Sequence, residues 1–349
     1  MQLTAPLRRR AQIWTLALGV LTIVSGIICI GIGPAQISPS TVFAIVTDRF
    51  GWSIDVEWSK AQESIVWGFR VPRVLMGLAV GAGLSISGAA LQAMVRNVLA
   101  DPYVLGISSG ASTGAASAIL FGIATGAGQY SLPTSAFLGA LAASILVFVV
   151  ARTGGSVTSV RLLLSGIAIG YALSAATSFL IFASDDAEGS RSVMFWMLGS
   201  LSLSRWDALL AIVLIVVILS TAVLFVWSPR LDALTAGDET ALALGVKPDT
   251  ARIQLLLVVS LCTGVAVAAS GAIGFVGLVV PHLGRRMVGS AHGRLIPVTA
   301  LLGAVLLVWA DAIGRVIMQP RELPIGILTA LVGAPFLLIL IRRMTARRA

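Results

Sequence analysis

Apolar residues in this chain neither alternate with polar ones nor form narrow stripes. They come in unbroken blocks of about 20 residues separated by short polar breaks. At 1.5 Å rise per residue, a helical block of that length crosses a hydrocarbon core of roughly 30 Å. The blocks predict ten spans, near 13–33, 71–94, 104–122, 133–151, 162–182, 206–227, 252–270, 274–290, 297–312 and 324–341. Strands of a membrane barrel would alternate, so the pattern predicts an all-α polytopic membrane protein. The least marked boundary is SGAIG, residues 270–274, which separates two blocks with almost no polar loop.

The polar breaks have their own logic. In GLSISGAALQAMVRNVLADPYVLGISSGAS, residues 83–112, the charged stretch RNVLADP reads as a turn between two spans. Pro102 ends one helical direction there, and Asn97 and Asp101 can bond free backbone groups. The longest break on the same side is SPRLDALTAGDETALALGVKPDTAR, residues 228–252. LDALTAG predicts a short helix closed by Gly237. Asp238 is expected to cap a second one, ETALALG, which ends at Gly245. Two short amphipathic helices in such a loop suit the docking of another protein. Glycines four apart, as in Gly77 with Gly81, Gly110 with Gly114 and Gly122 with Gly126, predict close helix contacts.

Composition agrees: 57% of residues are hydrophobic, 11% are charged and the mean hydropathy is +0.98. Charge then sets the orientation. With the N-terminus inside, the inner segments hold sixteen of the 24 basic residues and five of the 15 acids, a net +11 against −2 outside. This positive-inside bias places both termini in the cytoplasm and requires an even number of spans. It also accounts for the overall charge of +9 without a nucleic-acid partner. The apolar run of LRRRAQIWTLALGVLTIVSGIICIGIG exceeds the 7–15 residues of a signal core, so it is read as the first span. Cys29 and Cys262 fall inside spans and suggest no disulfide.

Several functions are excluded by what the chain lacks. The only lysines are Lys60 and Lys247, in WSKAQ and GVKPD, so no phosphate-cradling loop ending in Gly-Lys-Ser/Thr is present. No span carries an acid at its centre, which argues against ion-coupled transport; Asp311 stands at the outer end of the ninth. His282 and His292 are the only histidines and have no Cys or Glu cluster beside them to make a metal site. His282, near an inner helix end, is expected to bond freed backbone carbonyls. No nucleophile with a base stands out, so the chain is not expected to be an enzyme.

LDALTAGDETALALGV resembles the cytoplasmic coupling segment of FecCD-type permeases, the membrane subunits of ABC importers for ferric siderophores, haem and cobalamin. RVPRVLMGLAVGAGLSISGAALQAMVRNVLADPYVLGISSGAS, GFVGLVVPHLGRRMVG and ELPIGILTALVGAPFLL resemble three further signatures in the family's order. Together they cover nearly the whole chain. The resemblance implies a cobalamin-importer-type fold: one transmembrane permease domain over 1–349 with cytoplasmic coupling helices at about 229–248.

It further implies a multi-pass protein of the bacterial cytoplasmic membrane that imports an iron chelate by ATP-driven alternating access. Cobalamin is the alternative cargo, and an ion-coupled carrier the alternative class. Expected partners are a second copy of the permease or a close paralogue, two ATPase subunits, an extracytoplasmic substrate-binding protein and membrane lipid. This chain would bind no cofactor; ATP and Mg would be used by the ATPase. Leu234, Gly237, Asp238, Glu239, Leu242, Leu244 and Gly245 are expected at the ATPase contact. The fifth and tenth spans would form the permease dimer contact. Ser165, Gly166, Gly170, Ser174 and Thr177 of the fifth would line the pathway, and Thr158, Ser159 and Val160 its inner gate. Val160 departs from the small hydroxyl residues that the family often carries there. Arg70, Arg73 and Arg315 would meet acidic residues of the binding protein. From the residues alone, Arg73 snorkelling to the interface and Arg315 pairing with Asp311 four positions earlier are open alternatives.

Overall fold

The computed structural model describes residues 5–346 apart from positions 53, 124, 154 and 156, and among these every regular element is helical. Arg347 and Arg348, counted with the inner charges, lie outside the described residues. The predicted spans appear in order as α1 (Ala5–Gly31), α4 (Val71–Val95), α5 (Ile107–Phe121), α6 (Ser131–Ala151), α7 (Ser159–Phe182), α9 (Ala208–Val226), α12 (Pro248–Ser270), α13 (Val276–Val288), α14 (His292–Gly314) and α15 (Ile325–Ala346). Between them lie α2 (Pro39–Asp48), α3 (Lys60–Glu63), α8 (Ala187–Met197), α10 (Ser228–Ala236) and α11 (Asp238–Ala243). Hydrophobicity alone does not reveal α2 and α8. Their starts follow from capping: Ser38 accepts the Thr41 N–H ahead of Pro39, and Asp186 accepts the N–H groups of Glu188 and Gly189.

Among the described residues, seven helical segments are long and apolar enough to cross a membrane by themselves. The tenfold count needs α5, α13 and α15 as well, and α13 is the outlier. Its 13 residues rise about 20 Å, short of a hydrocarbon core. The reason is local. Gly271 (φ 69°, ψ −169°) and Phe275 (φ 68°) break the helix, so residues 271–275 run non-helically at the boundary expected over 270–274, and α13 starts two residues later than the predicted span. Backbone groups in and around this stretch are met by neighbours: Tyr103 Oη accepts the Ile273 N–H at 2.8 Å, and the Ser270 carbonyl accepts the Ser200 N–H at 2.8 Å. Gly199 and Leu198 in turn offer their carbonyls to Ile325 and Gly326. Irregular backbone inside a membrane protein needs such partners.

The bundle is organised around α4, which packs on α9, α12, α13 and α14. In its most apolar window 83% of positions are buried, against 17% in that of α7. Close approach explains its small residues: a Cβ on Gly81 would strike the Gly303 carbonyl of α14. Gly110 likewise meets Gly139 of α6, whereas Gly122 caps a helix end in the left-handed region and Gly126 faces open space. Helices α5, α6 and α7 form a group on one side, and α15 touches chiefly α13 and α14. His282 Nε2 has no hydrogen-bond partner, contrary to expectation; the ring packs edge-on to Phe336 at 5.7 Å.

Helix α4 is entered through a wide π turn, Ser64–Arg70. Pro72 has no N–H to give the Trp67 carbonyl five residues back, which would otherwise be left free. Trp206 fills the gap: its indole N–H reaches that carbonyl at 2.6 Å while the two rings stack at 5.1 Å. The turn also aims Arg70 and Arg73 inward.

Candidate functional site

The break over 228–252 folds into α10 and α11 as predicted, joined at Gly237, whose φ of 114° and ψ of 161° suit only glycine. Gly245, at φ 78°, follows the end of α11. Two details differ from expectation. Leu234 does not reach the surface; it is fully buried with Leu231 and Ala233, which seat α10 on the bundle. Asp238 does not cap α11, because its carboxylate turns to Arg252, with Nη2–Oδ1 at 2.7 Å and Nη1–Oδ2 at 3.1 Å. That contact, the main cause, holds the Asp238 carboxyl below its usual range, helped by the charge of Arg96 4.0 Å away. Glu239, Leu242 and Leu244 point outward, the two leucines 57% and 67% exposed.

Two residues of this inner region were given no role from the sequence. Arg252, counted only among the inner basic residues, is 1% exposed. It also donates to the carbonyls of Val157 (3.1 Å) and Met94 (3.4 Å) and to Ser159 Oγ (3.1 Å). A cation near the N-terminus of α12 opposes the helix dipole and so calls for partners, which was a readable signal. His292, also buried, sits with Nδ1 2.6 Å from Asp232 Oδ1 and donates its backbone N–H to the same atom at 2.9 Å. Burial would push the Asp232 carboxyl up, but the His292 bonds and the charges of His292 and Arg294 hold it below its ordinary value. The neighbouring turn RNVLADP behaves as read: Asn97 accepts from Leu99 N–H and Asp101 from Tyr103 N–H.

The small polar face of α7 points into the protein. Ser165, Gly166 and Thr177 are buried, and a Cβ on Gly166 would strike the Val104 carbonyl. Gly170 lies against Gly106. Ser174 Oγ is 3.1 Å from Ser109 Oγ, and Thr177 Oγ1 is 2.9 Å from Thr113 Oγ1. Helix packing against α5 therefore accounts for Ser165, Gly166 and Thr177, whereas Gly170 is half-buried and Ser174 remains exposed. The exposed face of α7 is bulkier, with Val160, Leu164, Tyr171, Phe179 and Phe182. Thr158 caps α7 by accepting the Arg161 N–H, and Ser159 is buried, donating to the Met94 carbonyl at 3.1 Å. Of the three gate residues, only Val160 is exposed.

At the other end of the bundle the three arginines come together, though not at the surface. Arg70 is 5% and Arg315 3% exposed. Arg70 donates to the carbonyls of Ile30, Gly31 and Ala35, and Arg315 to those of Cys29 and Ile32. These are the free carbonyls at and just beyond the C-terminus of α1, where cations complement the helix dipole. Arg315 Nε also lies 3.1 Å from Asp311 Oδ2 as an ion pair outside hydrogen-bond geometry, the pairing four residues apart that the spacing allowed. Arg73 binds Asp311 (2.8 Å) and Glu322 (2.8 Å). A display of Arg70 and Arg315 toward an outside partner is thus corrected: their donors are taken by backbone. Beside Arg73 and Glu322 opens a cavity of about 840 Å³, lined also by Tyr130, Ser202, Arg205 and Asp207. No cluster of metal-ligating side chains exists among the described residues.

Among the described residues, seven long apolar segments and the shorter α5, α13 and α15, packed about the glycine-rich α4 with a pair of short helices at one end, make a multi-pass membrane protein. The solved inward-facing structure of a metal-chelate type ABC transporter superposes with a TM-score of 0.81 at 33% identity, covering 94% of this chain and 98% of that one. The profile of the FecCD transport family matches residues 21–343, and the chain belongs to that family. It is similar to the cobalamin import permease BtuC of Halobacterium salinarum, 38% identical over 97% of this chain and 98% of that protein. The hemin transport permease HmuU of Yersinia pestis is 42% identical over 84% and 88% of the two chains. The Fe(3+)-citrate import permease YfmE of Bacillus subtilis is 38% identical over 98% of each. The chain is accordingly a permease subunit of an ABC importer in the cytoplasmic membrane.

Proposed function

We propose that this permease carries an iron chelate, a ferric siderophore, ferric citrate or haem, into the cell by alternating access driven by separate ATPase subunits. The observation that carries the reading is the exposed apolar tip of α11. Leu242 and Leu244 stand out in water on the cytoplasmic side, with Glu239 beside them, while the rest of the short-helix pair is anchored in the core. An apolar tip on an anchored arm is a site for a soluble partner. Two copies of the chain enclose the pathway, with the bulky face of α7 and the loosely held α15 turned to each other. Two ATPase subunits sit below, and a binding protein delivers cargo above, near the cavity rimmed by Arg73 and Glu322. Arg70 and Arg315 serve as anchors of α1. ATP and Mg act in the ATPase, and this chain needs no cofactor and catalyses no reaction.

Ion-coupled transport is disfavoured by the state of Asp311. The only acid inside the spans beyond a first turn is held between Arg73 and Arg315, with no lone carboxylate left to load an ion. Reconstitution of the permease with its ATPase and binding protein in liposomes tests the proposal. Ferric citrate or haemin should accumulate only with ATP, at more than tenfold the rate of cyanocobalamin. ATP-independent uptake by the permease alone, or a preference for cyanocobalamin, would overturn it.

A further inference from the structure

We propose that Arg252 is a positioning residue that transmits movement of α11 to the inner start of α7, so that the ATPase opens and closes the pathway through one buried guanidinium. The inference rests on the proposed ATP-driven function and adds the route by which the motion travels.

Arg252 is buried and joins three segments that no other described side chain joins. One edge of its fork meets the Asp238 carboxylate with both Nη atoms. The same two atoms reach the Val157 carbonyl and Ser159 Oγ, in the turn that begins α7. Nε points to the Met94 carbonyl at the end of α4. Only a planar guanidinium has enough donors in fixed directions for this; an ammonium can serve the carboxylate or the turn, not both.

The partners are unequal, and that gives the link direction. Arg252 is out of water, whereas the Asp238 side chain remains 37% exposed at the start of α11. If α11 shifts and Asp238 leaves, a buried cation loses its counter-charge, which is costly. The cheaper response is for Arg252, and with it residues 157–159, to follow the carboxylate. Helix α11 has six residues, about 9 Å of rod, so Leu242 and Asp238 move as one body. Gly237, with its extended positive-φ conformation, is the pivot. The chain of contact therefore runs from the exposed leucines through Asp238 and Arg252 to the first turn of α7.

Spin labels at Glu239 and Val160, both exposed, test this in the complete importer, read by distance before and after trapping with Mg-ATP and orthovanadate. In the otherwise unaltered importer both labels should shift. In Arg252→Lys, which keeps the charge and loses the fork, the Glu239 label should still shift and the Val160 label should not. Transport per ATP hydrolysed should fall roughly tenfold, the scale of one lost charge-assisted hydrogen bond. Asp238→Asn, at a partly exposed position, should do the same if the lysine variant fails to assemble, and Asp238→Glu should recover most of the coupling. A Val160 shift that persists in both Arg252→Lys and Asp238→Asn overturns the inference and leaves the functional proposal standing. An unaltered importer in which neither label responds to nucleotide overturns both.

Discussion

Replacing Asp311 with asparagine takes one charge out of a cluster that holds two buried arginines. Asp311 is 1% exposed and faces Arg73 at 2.8 Å and Arg315 at 3.1 Å. After the change Arg73 keeps Glu322, but Arg315 keeps only the carbonyls of Cys29 and Ile32, and two cations confront each other out of water. Removing one partner of a buried ion pair costs about 3–5 kcal/mol. The remaining bonds favour the lower end, about 3 kcal/mol, or a melting shift of about 4 °C at this chain length. The assay is built into the molecule, since Cys29 and Cys262 are both free and buried and become reactive only on unfolding. Thermal release of these thiols to a maleimide dye in detergent gives the midpoint. Glu63→Gln is the control: it breaks the more exposed pair with Arg49 and should cost less than about 1 kcal/mol. A midpoint for Asp311→Asn no lower than that of Glu63→Gln would show that the cluster does not hold α1, α4 and α14 together.

Three more outcomes follow from the same geometry. Leu242→Asp should weaken ATPase co-purification by more than about tenfold, because it would bury an unpaired charge in the contact, while thiol release stays unchanged; undiminished association places the contact elsewhere. The Asp232 carboxyl is held below its usual value, so its stabilising effect is complete above the ordinary carboxylate range and vanishes as pH falls through the native value. The melting gap between the native chain and Asp232→Asn should therefore be full at about pH 6 and close below about pH 4. Gly81→Ala should cost about 1–3 kcal/mol or block folding, because backbone rather than a flexible side chain stands in the way; a normal melting midpoint would refute that contact.

The spans were legible because lipid imposes a one-dimensional rule: length and hydrophobicity suffice to find α1, α4 or α9. What depends on side-chain direction was not. The row Ser165, Gly166, Gly170, Ser174 and Thr177 looks uniform in sequence, and only the position of α5 separates the buried Ser165, Gly166 and Thr177 from the exposed Ser174. Arg315 and Asp311 four residues apart announced their pairing, yet nothing near Arg70 in sequence points to carbonyls 35–40 residues away. Leu234 and Leu242 both lie in an amphipathic hairpin, and the pitch of α10 on the bundle, set by Leu231, sends them to opposite environments. Arg252 was hidden because its partners Met94, Val157 and Asp238 lie 158, 95 and 14 positions away in the chain.

The break before α13 has a consequence for how the chain is made. Its surroundings are assembled from stretches that leave the ribosome far apart: Tyr103, residues 198–200, residues 270–273 and finally Ile325 and Gly326. Insertion of the first nine spans still leaves the Leu198 and Gly199 carbonyls without those two N–H donors. Only the last helix closes the arrangement, so maturation of this permease is tied to completion of synthesis, and a nascent chain stalled before residue 325 would be a distinct, looser species.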